Sequence, residues 1–253
     1  MAKIVSVHSF RGGTGKSNVT ASLAAAMAAA GQRVGVVDAD IQSPGIHVLF
    51  GLTSDRMHHA LNDYLQGDCT IQETAYDVTP TQGVAGQISG QIYLIPSSLD
   101  ARDIAKIVRE GYDIALLNAG LRELNDGLQL DTLLIDTHPG LNQETLLSIA
   151  ISDTLLIVLR PDQQDFQGTA VTATVAQKLE VPETLLVVNK VPPSFAQESV
   201  RQRVEEAYGC RVGAVLPHAN EMMDLASGGI FTLAYPDHAI SQSLQALAQD
   251  VSS

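Results

Sequence analysis

"HSFRGGTGKSNVTASLAA", residues 8–25, is the stretch on which the reading of this chain turns. Gly12, Gly13 and Gly15 let consecutive backbone N–H groups face one concavity and let an oxyanion come close. Lys16 and Ser17 close the turn, and an alanine-rich run follows at once. A helix starting there adds the partial positive charge of its N-terminus. Together, Gly12, Gly13, Thr14, Gly15, Lys16 and Ser17 form a candidate phosphate cradle between a strand and a helix. In such a cradle Lys16 reaches the β and γ phosphates, and the Ser17 hydroxyl holds Mg²⁺. Two residues depart from the common pattern. Phe10 stands where a first glycine is usual, and Arg11 directly precedes the glycine pair.

Outward from this turn, apolar β-branched runs alternate with helical segments. "KIVSVHS" (3–9), "RVGVVDAD" (33–40), "QIYLIPS" (91–97), "DTLLIDTH" (131–138), "DTLLIVLR" (153–160), "TLLVVNK" (184–190) and "RVGAVLPH" (211–218) read as strands. Most are near-continuous hydrophobic runs, the signature of a parallel sheet covered on both faces. Helices are expected near 17–30, 101–110, 113–125, 142–151, 164–179, 196–208, 219–226 and 239–250. The fold class that follows is a single α/β domain over residues 1–253, a mostly parallel twisted sheet with helices on both faces. Residues 77–91 are turn-rich and read as a surface excursion.

Composition narrows the setting. Hydrophobic residues make up 45% of the 253 positions, enough for a sizeable core, and there is no Trp. No apolar run reaches the ~20 residues that cross a bilayer. Cys69 and Cys210 are isolated thiols without a C-x-x-C partner, which argues against a disulfide framework and a cysteine-rich metal site. A reduced, cytoplasmic protein is expected. The formal net charge of -13 repels nucleic-acid phosphate and anionic lipid unless a local basic patch overrides it.

Several acidic and amide positions fall at strand ends. Asp38 and Asp40 close the second strand, at the carboxyl edge where open α/β sheets bind ligands. Asp136 ends "TLLIDT" as a single carboxylate delivered by a buried strand, in the manner of a Walker B aspartate at the metal. Gly140 can supply an N–H near a γ phosphate and absorb a φ change when that phosphate leaves. Asn189 and Lys190 end "LLVVNKVPP". A guanine-reading segment carries Asp three residues after its Asn. Pro192 stands there instead and cannot accept those bonds, so guanine loses its main discriminator.

"RGGTGKS" resembles the deviant phosphate loop of the ParA/MinD family of P-loop ATPases, whose members usually read Lys-Gly-Gly-x-Gly-Lys-Ser/Thr. The resemblance extends over "VVDADIQSPG", "DTHPG", "LRPDQQDFQG", "NKVPP" and "AVLPHANEM", about residues 3 to 248. It implies ATP and Mg²⁺ as cofactors and an ATP-dependent homodimer. By it, Arg11 takes the place of the signature lysine that reaches across the dimer to the partner's phosphates. Asp40 orients the attacking water, Asp38 and Asp136 support Mg²⁺ with Ser17, and Asn189, Pro217 and His218 sit beside adenine. His138 is expected to face a partner subunit rather than act as a base. The implied function is a switch that hydrolyses ATP to position or partition a cargo, with an activator or cargo adaptor as partner and partner-stimulated, slow turnover. The alternatives are a cofactor or metal-cluster maturation ATPase and a phosphoryl-transfer enzyme of the same fold. The basic membrane helix of MinD-type members has no counterpart: no Lys or Arg follows Arg211. The stripe Arg102, Lys106 and Arg109 is the one compact basic face, so DNA binding is possible but disfavoured by net charge.

Overall fold

The computed structural model describes residues 2–81 and 84–253. Among these residues, eight strands lie in chain order at β1 (Lys3–His8), β2 (Arg33–Ala39), β3 (Tyr76–Asp77), β4 (Gln91–Ile95), β5 (Thr132–Thr137), β6 (Thr154–Leu159), β7 (Glu183–Val191) and β8 (Arg211–Pro217). They form one sheet in the order β3-β4-β2-β5-β1-β6-β7-β8. All pairings are parallel except the short antiparallel edge of β3 on β4. The seven apolar runs of the sequence are β1, β2 and β4 to β8. β5 and β6 are buried along their whole length, which is why their sequences do not alternate.

Among the described residues, eleven α-helices accompany them: α1 (Lys16–Ala29), α2 (Ile46–Leu49), α3 (Leu61–Gln66), α4 (Ala101–Glu110), α5 (Ile114–Leu128), α6 (Gln143–Ala150), α7 (Gln163–Lys178), α8 (Gln197–Tyr208), α9 (Asn220–Asp224), α10 (Phe231–Ala234) and α11 (Ala239–Ser252). Helix starts follow capping chemistry. Asp100, Asp113 and Asp162 accept backbone N–H groups at the starts of α4, α5 and α7. Three apolar clusters make the core. One joins β1, β2 and β4 to α1 and α11, a second lies under β2, β5, α3 and α5, and a third packs β6 to β8 against α7 and α8.

The short elements β3, α2, α3 and α10 are not among the segments expected from the sequence. Each is six residues or fewer, below the length at which a period is legible. The 77–91 stretch is anchored at the sheet edge. Val78 and Val84 are fully buried, and the Thr81 hydroxyl bonds the Phe50 carbonyl at 2.6 Å. Gln82 and Gly83 of that stretch lie outside the described residues. The apolar stripe of α11, Ile240, Leu244, Leu247 and Val251, is buried, and α11 packs along α1. Among the described residues, no helix is long and apolar enough to cross a membrane.

Candidate nucleotide site

Three neighbouring strands deliver the site at the carboxyl edge of the sheet. β1 runs into residues 9–15 and then α1. β2 ends at Asp38 and Ala39, and β5 ends at Asp136 and Thr137. Asp38 and Asp136 are register partners on adjacent strands. α1 differs from the aspartate-capped helices: Gly15 occupies its N-cap at φ 94 with no side-chain cap, and its first turn holds no acidic residue. Its leading N–H groups are left for an outside acceptor, which is what an anion site needs. Thr14 is buried, and its hydroxyl has no partner among the described residues. This uncapped turn fits a phosphate chain.

Lys16 lies within this turn, not out in solvent. Its ammonium donates to Asp136 Oδ1 at 2.9 Å, and both side chains are almost wholly buried. The Thr20 hydroxyl also contacts Asp136 Oδ1, at 3.2 Å. Asp38 is equally buried, and its carboxylate accepts the N–H groups of Asp40 (3.1 Å) and Gly45 (3.2 Å). Burial first, then the charge of Asp136, pushes the Asp38 carboxyl up to about 8, against the pull of Lys16 and those two N–H groups. The ammonium thus bonds Asp136 and acts on Asp38 only through its charge. Carboxylate and hydroxyl oxygens are the hard donors that Mg²⁺ takes, so these residue types fit it. Ser17 follows on the first turn of α1, half-buried.

Asp40 lies just beyond β2. His138 Nε2 stands 3.8 Å from Asp40 Oδ1, while His138 Nδ1 faces the Pro139 carbonyl at 2.7 Å. Burial leaves the Asp40 carboxyl above the ordinary range despite Lys16 and His138. The Gly140 N–H is engaged, donating to the Ser9 carbonyl at 3.0 Å with Gly140 at φ 84.

Asn189, Pro217 and His218 come together in the structure. They line a pocket of about 290 Å³ with Gly15, Asn18 and Met222. The Asn189 amide is partly used: Nδ2 donates to the Thr14 carbonyl and Oδ1 accepts the Lys190 N–H, both at 2.8 Å. One N–H and one lone pair remain for a base. Arg11 points away from its own cradle. It reaches Gln164 Oε1, and Asp165 Oδ1 lies 3.9 Å off, both at the start of α7.

Four residues beside the site were given no role in it from the sequence. Thr20 and Asn18 sit on α1 among small residues, and Lys190 bonds the Gly13 carbonyl at 2.8 Å. The fourth is His8, fully buried at the end of β1. The Thr137 hydroxyl donates to the Val7 carbonyl, so His8 donates to Thr137 Oγ1 from Nδ1, at 2.8 Å. His8 Nε2 has no partner among the described residues.

Comparison with known proteins places the chain in a family. A family model described as an AAA domain matches residues 2–185. The chain belongs to the ParA/MinD family of P-loop ATPases. It is 26% identical over 249 residues to an uncharacterized ATP-binding protein of Methanocaldococcus jannaschii, covering 98% of this chain and 87% of that one. It is 31% identical over 195 residues to an iron-sulfur cluster carrier protein of Methanococcus maripaludis, covering 75% of this chain and 61% of the relative. Its fold is like that of the septum site-determining protein MinD of Pyrococcus horikoshii, solved with Mg-ADP. That match has a TM-score of 0.81 at 22% identity and covers 99% and 96% of the two chains.

Proposed function

We propose that this protein is an ATP-dependent dimerisation switch, hydrolysing ATP to ADP and phosphate in order to position or partition a cellular cargo. The carrying observation is the uncapped start of α1, with Lys16 paired to Asp136, Asp38 beside it on the next strand and an apolar pocket alongside. On this reading the N–H groups of residues 12–17 and Lys16 hold the phosphates. Ser17, Asp38 and Asp136 would hold Mg²⁺, and the ion would supply charge neutralisation to the phosphates when bound. Lys16 then trades Asp136 for phosphate. Asp40 orients the attacking water, aided by its nearness to His138. Asn189 reads the base with Pro217 and His218 packed beside it. Arg11 serves the partner's triphosphate, where a second cation offsets the repulsion of two bound nucleotides. A cytoplasmic setting, slow turnover and stimulation by a cargo adaptor belong to the same proposal.

The decisive experiment determines molecular size with ATP, with ADP and without nucleotide, alongside phosphate release. ATP should give a dimer, and ADP a monomer. Mixing Arg11→Ala with Lys16→Ala subunits should restore part of the activity each lacks, through heterodimers with one intact composite site. A monomer under all conditions overturns the proposal.

The 31% identity to an iron-sulfur cluster carrier favours a second reading, a cluster-maturation ATPase. The chain's own thiols are poor ligands for it. Burial, then Asp63, Glu73 and Asp68, pushes the Cys69 thiol up to about 11, and burial raises Cys210. The two pack with separate apolar clusters. Stoichiometric iron retained by anaerobically purified dimer would favour the carrier reading.

A further inference from the structure

Phe10 and Arg11 both lie on α7, and the contact is built rather than incidental. A Cβ placed on Gly168 would fall 2.0 Å from Phe10 Cδ1, 2.2 Å from Cγ and 2.7 Å from the Phe10 Cβ. The clash reaches the root of the side chain, so turning the ring cannot relieve it. Gly168 lies inside a 16-residue helix, where glycine weakens the helix relative to alanine. Its place there is accounted for by the ring that fills the slot. One turn earlier on the same face, Gln164 takes the Arg11 guanidinium. Asp165 is nearby but already committed: Arg160 donates to it from Nε at 2.9 Å and from its backbone N–H at 3.0 Å. Arg11 stays 41% exposed and 3.9 Å from that carboxylate. Arg11 is therefore held by one neutral hydrogen bond and one long ion pair shared with Arg160, beside a residue that is held firmly.

We propose that Phe10 and Gly168 form a key and slot that positions Arg11, and that Gln164 parks Arg11 on its own subunit until a nucleotide-bearing partner arrives. Phe10 and Gln164 are positioning residues for Arg11. The Phe10 anchor fixes the backbone, so release needs only side-chain torsions of Arg11. Gln164 then sets the threshold of association: a stronger acceptor at that position keeps Arg11 at home, and none sets it free. The Arg11 part rests on the proposed dimer switch. The Phe10–Gly168 part does not.

Two measurements on the full chain test it. The first is a double-mutant cycle in thermal stability. Gly168→Ala should lower Tm by roughly 5 °C in the wild-type background. In Phe10→Gly the same change should raise Tm, because only helix propensity then acts. An equal effect in both backgrounds overturns the key and slot. The second reads the ATP concentration at half-dimerisation. Gln164→Glu should raise it about 2–5-fold, the more so at low salt, and Gln164→Ala should lower it about 2-fold. Affinity of the monomer for ADP should be unchanged in both. Shifts of the same sign, or none, in a protein that does dimerise overturn the parking role. If wild type forms no ATP dimer, the switch and the parking role fall together, and the Tm cycle still decides the key and slot.

Discussion

Lys16 and Asp136 make a buried pair that answers to two demands, since phosphate and carboxylate compete for one ammonium. Lys16→Ala removes the charge and leaves Asp136 without its partner. Nucleotide affinity should fall by a few kcal/mol, given that charge-assisted bonds are about twice as strong as neutral ones. Binding calorimetry within about twofold of wild type would remove the site assignment. His8 makes a separate prediction about acid. Burial, then Lys16 and His138, drives its imidazole from 6.5 to about 3. As pH falls through 6.5 the unfolded chain takes a proton that the folded chain refuses until about 3. The unfolded state binds more protons in that window, so stability falls with acidification and is unaffected by this group at higher pH. His8→Gln, which can still donate to Thr137, should lose about 1 kcal/mol less per pH unit below 6.5. Parallel pH–Tm curves for the two proteins would refute it.

α1 owes its role to the absence of a cap. A side-chain acceptor at position 15 would satisfy the leading N–H groups and close the anion site. Gly15 leaves them open and supplies the left-handed φ of 94. It also admits Asn189, whose Nδ2 would lie 2.4 Å from a Cβ there. Gly15→Ala should therefore cost about 1–2 kcal/mol from the backbone alone. It should also displace Asn189 from the Thr14 carbonyl. Chemical denaturation reads the first effect. The ratio of ATP to GTP affinity, expected to drift toward one, reads the second. An unchanged ratio in a folded variant would show that Asn189 does not select the base.

The molecule as a whole carries -13 charges, and its basic stripe is largely spent on itself. On α4, Arg102 pairs with Asp100 at 2.6 Å, Arg109 pairs with Glu110 at 2.6 Å, and Lys106 donates to Gln66. DNA binding should accordingly be weak, confined to that face, and lost by about tenfold or more on raising salt from 50 to 200 mM. Tight, salt-insensitive binding that survives charge reversal at all three positions would contradict this.

The sheet, the cradle and the strand-end carboxylates were legible in the chain alone. Near-continuous apolar runs report burial on both faces, and Gly-rich turns ending in Lys-Ser report backbone geometry that few other sequences can adopt. Both are local properties, written over neighbouring residues. The tail's apolar stripe was readable as core for the same reason. What the sequence could not show is everything set by contact across the fold. His8 looks like any strand residue until Thr137, 129 positions away, meets its Nδ1. Asp38 becomes a raised carboxyl because the assembled sheet buries it, and because β5 then places the charge of Asp136 opposite it. Phe10 reads as an oddity in a phosphate loop until Gly168, on a helix of another crossover, opens the slot it fills. Local pattern determines which elements form. Only the packing of distant elements decides which polar atoms lose water and which side chains meet, because desolvation and close contact depend on the assembled interior.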